Sequence, residues 1–276
     1  MCILNDQEEA GYFYHDLMQL TGSNEIYFFP SAYRRAIKYG HIDPANEILR
    51  TEVLSVLQDP EAPFVIVSYP DALAEKVISR DDLKKNTLKI SVGEKLDNMF
   101  VSDVLDEYGF EQVDYVYEPG QYALRGSILD VFSFSYEFPY RIDFFGKEVE
   151  TIRTFDVETQ LSKEKLESIY IVPEMNKSDR TNTLLLDSLP AQTILAARDL
   201  AWTKERIGSL WNEEPVVGDE ESFADISRMR ARLVTGEDFL RAALNFRRIH
   251  FGTRPAGVAD ATLTFSTQAQ PIYHKN

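Results

Sequence analysis

The chain has 276 residues, with 29 lysines and arginines against 45 aspartates and glutamates, which gives a formal net charge of −16. This negative excess disfavours nonspecific binding to nucleic acid, because such binding depends on cations that neutralise phosphates. A single cysteine excludes an internal disulfide, and four scattered histidines disfavour a zinc site. No apolar run is long enough for a signal peptide or a membrane helix, so we expect a cytoplasmic protein with no membrane partner.

Strand-like and helix-like patterns alternate over residues 1–107, which predicts a parallel sheet. Apolar residues at helical spacing predict one helix that ends near Gly22 and another that starts at Asp43-Pro44, since proline suits the first helical turn. The expected elements are helix 10–20, strand 25–29, the helix from 43, strand 64–67, helix 71–78, strand 88–92, and a helical stripe of Leu96, Met99, Phe100, Val104 and Leu105.

The pattern changes at Gly109 to short alternating segments separated by turn residues, which predicts an antiparallel sheet. The expected strands are 113–117, 122–134, 140–145, 149–155 and 169–172. Gly146-Lys147 is predicted to be a hairpin turn, whereas Gly126 falls inside a predicted strand.

A polar loop is expected at 175–183. After it, periodicity predicts helices at 198–213, 221–233 and 237–245 and strands at 249–251 and 262–265. Because these elements resemble those at the start of the chain in kind, we expect one α/β domain interrupted by a β-rich insert.

Catalytic motifs are absent from the sequence. It contains no Gly-x-x-x-x-Gly-Lys-Ser/Thr loop for phosphates and no Gly-x-Ser-x-Gly nucleophile, so we predict no catalytic residue and no cofactor site. The single cysteine and the scattered histidines predict no metal site. Five carboxylates of the insert could hold a general acid and base, but on alternating strands they are more simply solvated or paired surface charges. They are Asp130, Asp143, Glu148, Glu150 and Asp156.

Arginines and an aromatic pair lie on successive strands of the insert. The two-residue period of a strand places Arg141, Asp143 and Phe145 on one face, and Ile142 and Phe144 on the other. Two interpretations stay open. Exposed arginine beside an aromatic ring is typical of a protein-binding hot spot. Alternatively, Phe145 is buried and Arg141 pairs with Asp143 or Glu150; the residues alone favour this second interpretation.

Three segments of the insert resemble the UvrB-homology module of the Mfd family, the bacterial transcription-repair coupling factors. They are 118–132 (EPGQYALRGSILDVF), 139–146 (PYRIDFFG) and 153–160 (RTFDVETQ), with weaker support from 28–33 and 49–54. The resemblance implies a bipartite, helicase-like parallel-sheet domain without a nucleotide loop, interrupted by a small antiparallel β-rich domain. It moves the start of the insert from Gly109 back to Thr87, so the expected domains are 1–86, 87–174 and 175–276.

The resemblance also implies a function. The insert of the family docks UvrA, and the binding residues carry over to Arg125, Arg141 and Phe145. We therefore expect an adaptor that recruits UvrA to stalled RNA polymerase in nucleotide excision repair. RNA polymerase, DNA and the ATP-driven motor would belong to other domains of a longer protein, of which this chain would be an N-terminal fragment that starts inside the α/β domain and lacks its first strand and helix.

Two alternatives remain. The chain could be a UvrB-like subunit that binds DNA or nucleotide, although neither a nucleotide loop nor a tyrosine-rich DNA-probing hairpin is found in the sequence. It could also be an autoinhibitory module whose docking surface is masked by another domain, because masking and docking would use the same exposed side chains.

Overall fold

The computed structural model describes residues 1–23, 25–32, 43–59, 61, 63–173, 181–212, 231–251 and 260–266. The helices are α1 (Gln7–Thr21), α2 (Pro44–Val56), α3 (Pro70–Leu73), α4 (Arg80–Lys85), α5 (Asn98–Glu107), α6 (Leu200–Asn212) and α7 (Gly236–Ala243). Within these ranges, no helix is long and apolar enough to cross a membrane.

Two main sheets organise the strands. The first contains β1 (Cys2–Ile3), β2 (Ile26–Phe28), β3 (Val65–Ser68), β14 (Ile194–Ala197) and β15 (Arg247–His250). The second contains β6 (Glu111–Gln112), β7 (Gln121–Arg125), β8 (Ile128–Val131), β9 (Tyr140–Phe145), β10 (Glu148–Phe155) and β11 (Ser162–Leu166). Among the described residues, two small pairs complete the set: β5 (Leu88–Ser91) with β12 (Ser168–Ile171), and β4 (Val77–Ile78) with β13 (Thr181–Thr183).

The first sheet has the order β15-β14-β1-β3-β2, and every pairing in it is parallel. Strands from the two ends of the chain therefore lie side by side, with β1 between β14 and β3. Buried residues of helices α1, α2, α6 and α7 pack with this sheet in one core. The prediction of an α/β region with a parallel sheet is confirmed, and the contribution of both chain ends to that sheet is now shown.

Two predicted helix boundaries are confirmed by their capping bonds. Asp43 precedes α2 and accepts a hydrogen bond from the Ala45 amide at 3.1 Å. At the end of α1, the Gly22 amide donates to the Met18 carbonyl at 2.9 Å. These caps satisfy backbone groups that have no partner within a helix terminus.

The second sheet has the order β11-β10-β9-β8-β7-β6 and is antiparallel except where β6 runs parallel to β7. The predicted single strand 122–134 is wrong, because the chain reverses at Gly126, whose φ of 65° suits glycine. The predicted strand 113–117 is also wrong. Amides of Tyr117 and Glu118 instead donate to the Gln121 side chain, which replaces a strand partner.

The inner face of the second sheet packs on α5 and on the β5–β12 pair. The strand at Leu88 thus pairs with β12, outside the parallel sheet. The predicted helical stripe is wrong at Met99 and Phe100, which are 68% and 52% exposed, whereas Val101 and Leu105 are fully buried. Helix α5 is therefore rotated relative to the sequence-based expectation.

Other predictions differ at the edges of elements. The predicted helix 71–78 is shorter, because residues 77–78 form β4 and pair with β13. The predicted strand 262–265 is not a strand, and Leu263 and Phe265 are exposed. The predicted helix 221–233 lies almost entirely outside the described residues, as does most of the predicted loop 175–183.

Candidate protein-docking face

Strand β9 presents alternate side chains to the two faces of the second sheet. Ile142 and Phe144 are buried at 0% and 3% exposure and belong to the inner core. Arg141, Asp143 and Phe145 point to the other face, which we call the outer face. The predicted division of these five residues between the two faces is confirmed.

Phe145 ends β9 and is 79% exposed. Its neighbour across the hairpin is Glu148, and the turn between them contains Gly146 and Lys147. The alternative interpretation that Phe145 is buried is therefore wrong. An aromatic ring in this position exposes a large apolar surface that a partner could bury.

The turn beside Phe145 is held by two residues that directly precede α5. The Leu96 amide donates to the Lys147 carbonyl at 2.9 Å, and the Lys147 ammonium pairs with Asp97 at 3.0 Å. The hydrogen bond with Lys147 also lowers the pKa of the Asp97 carboxyl. These contacts hold the hairpin that presents the Phe145 ring.

Arg141 is engaged within the chain. Its Nε donates to Oδ1 of Asp130 at 2.6 Å and its Nη2 to Oδ2 at 2.8 Å. The guanidinium carbon lies 4.2 Å from the centre of the Phe155 ring, and the side chain is 15% exposed. The hydrogen bond with Asp130 raises the pKa of Arg141 above its ordinary value.

The second interpretation expects Arg141 to pair with Asp143 or Glu150, and this expectation is wrong. Arg141 pairs with Asp130, while Asp143 pairs with Arg153 at 2.5 Å and also accepts a hydrogen bond from Thr151 at 2.7 Å.

Arg125 lies at the end of β7 and contacts the same carboxylate. Its Nη2 donates to Oδ2 of Asp130, and its Nη1 donates to the Asp114 carbonyl at 2.7 Å. The guanidinium carbon is 5.2 Å from the centre of the Tyr115 ring, and 38% of the side chain is exposed. Arg125 is thus fixed at one edge and open to solvent at the other.

The structure brings two of the three predicted residues together and places the third farther along the face. Arg125 and Arg141 meet at Asp130, whereas Phe145 lies four residues beyond Arg141 on β9, or about 13 Å at the usual rise of a strand. Near Arg141, Phe155 belongs to a small apolar cluster against which Ile48 of α2 packs. The outer face is therefore partly covered near Arg141 and open around Phe145.

Asp130 is the residue of this face that sequence reasoning undervalued. The sequence predicts a solvated or paired surface carboxylate here, and Asp130 is indeed paired, but it is only 1% exposed and holds two arginines. The residue in the sequence that could have indicated this role is Gly126, since glycine favours a turn. A turn there aligns β7 antiparallel to β8 and places Asp130 opposite Ala123, on the same face as Arg125.

Comparison with known proteins agrees with the sequence resemblance. The family model of the UvrB interaction domain matches residues 88–176. The transcription-repair-coupling factor of Escherichia coli (strain K12) is 32% identical over 138 residues, which are 50% of this chain and 12% of that protein. The resemblance to the coupling-factor family is confirmed.

Other coupling factors match over longer stretches. That of Haemophilus influenzae is 32% identical over 154 residues, or 55% of this chain and 13% of that protein. That of Myxococcus xanthus is 28% identical over 209 residues, or 73% of this chain and 17% of that protein. The matched region is thus less than a fifth of the length of these coupling factors.

The segment that matches the UvrB interaction domain contains the whole outer face. It runs from the start of β5 to beyond β12, and it includes Arg125, Asp130, Arg141 and Phe145. The candidate face therefore lies inside the segment that the coupling-factor resemblance identifies.

Proposed function

We propose that this chain is a docking module of a transcription-repair coupling factor and that its outer face recruits UvrA to RNA polymerase stalled at a DNA lesion. The proposal is carried by one observation: an aromatic side chain, Phe145, stands 79% exposed on a segment that matches the UvrB interaction domain. RNA polymerase and DNA would be engaged by other domains, and the site of action would be the bacterial cytoplasm.

The residues of the outer face suit docking. Burying a phenylalanine side chain stabilises a complex by about 1.5–3 kcal/mol, and the Phe145 ring is already outside the core. Arg125 adds a guanidinium whose exposed edge can pair with a carboxylate or a carbonyl of the partner. Aromatic and arginine anchors of this kind dominate the binding energy of many interfaces.

The proposal includes a domain organisation. Residues 1–86 and 175–276 would form a bipartite, helicase-like α/β domain without a nucleotide loop, and residues 87–174 the inserted docking domain. Support comes from the parallel sheet shared by the two chain ends and from the separate second sheet. The chain itself would catalyse no reaction, since the sequence has no phosphate-binding loop.

The test is calorimetric titration of the unmodified chain and of Phe145→Ala with UvrA. We expect the variant to bind about 2 kcal/mol more weakly, or roughly thirtyfold in Kd. Its thermal unfolding should stay unchanged, because Phe145 is 79% exposed.

Leu20→Ala is the matched control. Leu20 is 83% exposed on α1, outside the second sheet, so its truncation should leave UvrA binding unchanged. Equal losses for the two variants would contradict docking at the outer face. Failure of the unmodified chain to bind UvrA would contradict recruitment and favour the masking role.

A further inference from the structure

One buried carboxylate holds two of the three docking residues that the sequence resemblance implies, Arg125 and Arg141. Asp130 lies on β8, opposite Arg141 on β9 and Ala123 on β7, and it is 1% exposed. Both of its oxygens accept hydrogen bonds from Arg141, at 2.6 Å and 2.8 Å, and Oδ2 also accepts one from Arg125. A single negative charge therefore faces two guanidinium groups.

The two arginines differ in what they can still offer to a partner. Beyond its bonds to Asp130, Arg141 donates from Nη2 to the Gln160 side chain at 3.2 Å and from Nη1 to the Gln160 carbonyl at 3.4 Å, and its guanidinium lies over Phe155. With 15% of its side chain exposed, it has little surface left for a partner.

Arg125 keeps more of its guanidinium available. It uses Nη2 for Asp130 and Nη1 for the Asp114 carbonyl, while its Nε has no hydrogen-bond partner in the described part of the chain. Since 38% of its side chain is exposed, a partner can reach it.

We propose that Asp130 and Arg141 are positioning residues, which fix the guanidinium of Arg125 in the orientation that meets the partner. This inference rests on the proposed docking function, and it gives Arg141 a positioning role in place of the direct binding role that the resemblance implies. Arg141 fixes the carboxylate by a bidentate contact, and the carboxylate fixes Arg125. An arginine that is already ordered loses less conformational entropy on binding, so docking is stronger than with a free side chain.

The outer face offers a matched control in Asp143. It lies on β9 and pairs with one arginine, Arg153, at 2.5 Å, and with Thr151 at 2.7 Å. None of these three residues belongs to the proposed docking set. Asp143→Asn therefore removes a similar charge from the same face without touching Arg125.

The first experiment is a double-mutant cycle in UvrA titrations of the full chain, with Asp130→Asn, Arg125→Ala and both changes together. We expect each single variant to bind about tenfold more weakly, and the double variant to lie within about threefold of Arg125→Ala. Asp143→Asn should bind like the unmodified chain. Losses that multiply in the double variant, or unchanged binding by Asp130→Asn, would overturn the positioning role.

The second experiment needs no partner and so separates this inference from the proposed function. The ¹⁵N relaxation of the Arg125 Nε reports the mobility of its side chain in the free protein. We expect the Arg125 side chain to be more mobile in Asp130→Asn than in the unmodified chain, and unchanged in Asp143→Asn. An equally ordered Arg125 in both variants would overturn the inference, whereas failure of the unmodified chain to bind UvrA would overturn only the recruitment proposal.

A third variant decides the matter if Asp130→Asn does not fold. Arg141→Lys keeps a cation beside Asp130 but cannot form the bidentate contact with both carboxylate oxygens. It should raise the mobility of Arg125 and weaken UvrA binding by about fivefold, because the carboxylate is no longer held in one orientation. No change in either quantity would contradict positioning through Arg141.

Discussion

The two regions of the molecule each contain a carboxylate, an arginine and a phenylalanine in the same arrangement. In the α/β region, Arg50 pairs with Glu75 at 3.1 Å and lies 4.2 Å from the centre of the Phe29 ring. In the second sheet, Arg141 pairs with Asp130 and lies 4.2 Å from the centre of the Phe155 ring. We call the first set the closed unit and the second, together with Arg125, the open unit.

The units differ in access to solvent. Glu75 and Arg50 of the closed unit are 6% and 4% exposed, and they hold the backbone of a loop through bonds to the Ala32 amide and the Pro30 carbonyl. The open unit has an equally buried carboxylate but adds Arg125, which reaches solvent. The same ion-pair chemistry thus fixes a loop in one region and holds a partly exposed arginine in the other.

The largest expected effect is in the closed unit. Arg50→Ala should lower the free energy of unfolding by about 3–5 kcal/mol, because it leaves the buried Glu75 without its cation. Urea unfolding measures this loss. In a Glu75→Gln background the same change should cost less. A loss below about 1 kcal/mol in the unmodified background would show that the closed unit is not structural.

The cost of Arg50→Ala should also depend on pH. Burial raises the pKa of the Glu75 carboxyl, and Arg50 opposes that rise. Above the ordinary pKa the unfolded chain then binds fewer protons than the folded chain, so stability falls as the pH rises through the folded pKa. Without Arg50 this pKa rises further.

The loss caused by Arg50→Ala should therefore be greater at about pH 8 than at about pH 5. Urea unfolding at the two pH values measures the difference. An equal loss at both pH values would contradict this account.

A smaller loss is expected in the open unit. Arg141→Ala should destabilise the chain by about 1–3 kcal/mol, because Asp130 loses two hydrogen bonds but keeps Arg125. Arg153→Ala, whose partner Asp143 is more exposed, should cost less. Urea unfolding measures the loss of stability in both variants. Equal losses would contradict the expectation that the buried Asp130 depends more on its arginine than the more exposed Asp143 does.

The smallest effect concerns the turn that brings Arg125 to the open unit. Gly126 has φ 65°, and a Cβ there would meet no atom within 4 Å, so Gly126→Ala should cost about 1 kcal/mol from backbone strain alone. Gly11 lies in α1, and a Cβ there is equally unobstructed. Gly11→Ala should therefore stabilise by about 0.5–1 kcal/mol, and thermal unfolding that shifts the same way for both variants would contradict this reasoning.

The elements that sequence reasoning found are those with strong local signals. The helix at Asp43-Pro44 and the strand 140–145 were predicted at the observed positions. Two of the missed strands lack such signals: β1 has two residues, and β11 is a charged, largely exposed edge strand. Their pairing comes from neighbouring strands, which a local pattern does not contain.

The candidate site divides in the same way. The two-residue period of β9 was enough to place Arg141 and Phe145 on one face, because alternation is a property of the extended backbone itself. It could not show that Phe145 is exposed while Arg141 is engaged. Exposure depends on what packs against each side chain, and here α2 lies near one end of the face and nothing described covers the ring at the other.

The sequence by itself therefore determined the local features of this protein: the helix caps, the alternation of β9 and the segments that resemble the coupling factors. The tertiary structure alone decided that strands from the two chain ends share one sheet and that β7 and β9 bring two arginines to Asp130. The physical reason is the distance along the chain over which each interaction acts. Periodicity and capping act within a few residues, whereas strand order and ion pairing join residues that only the folded chain brings into contact.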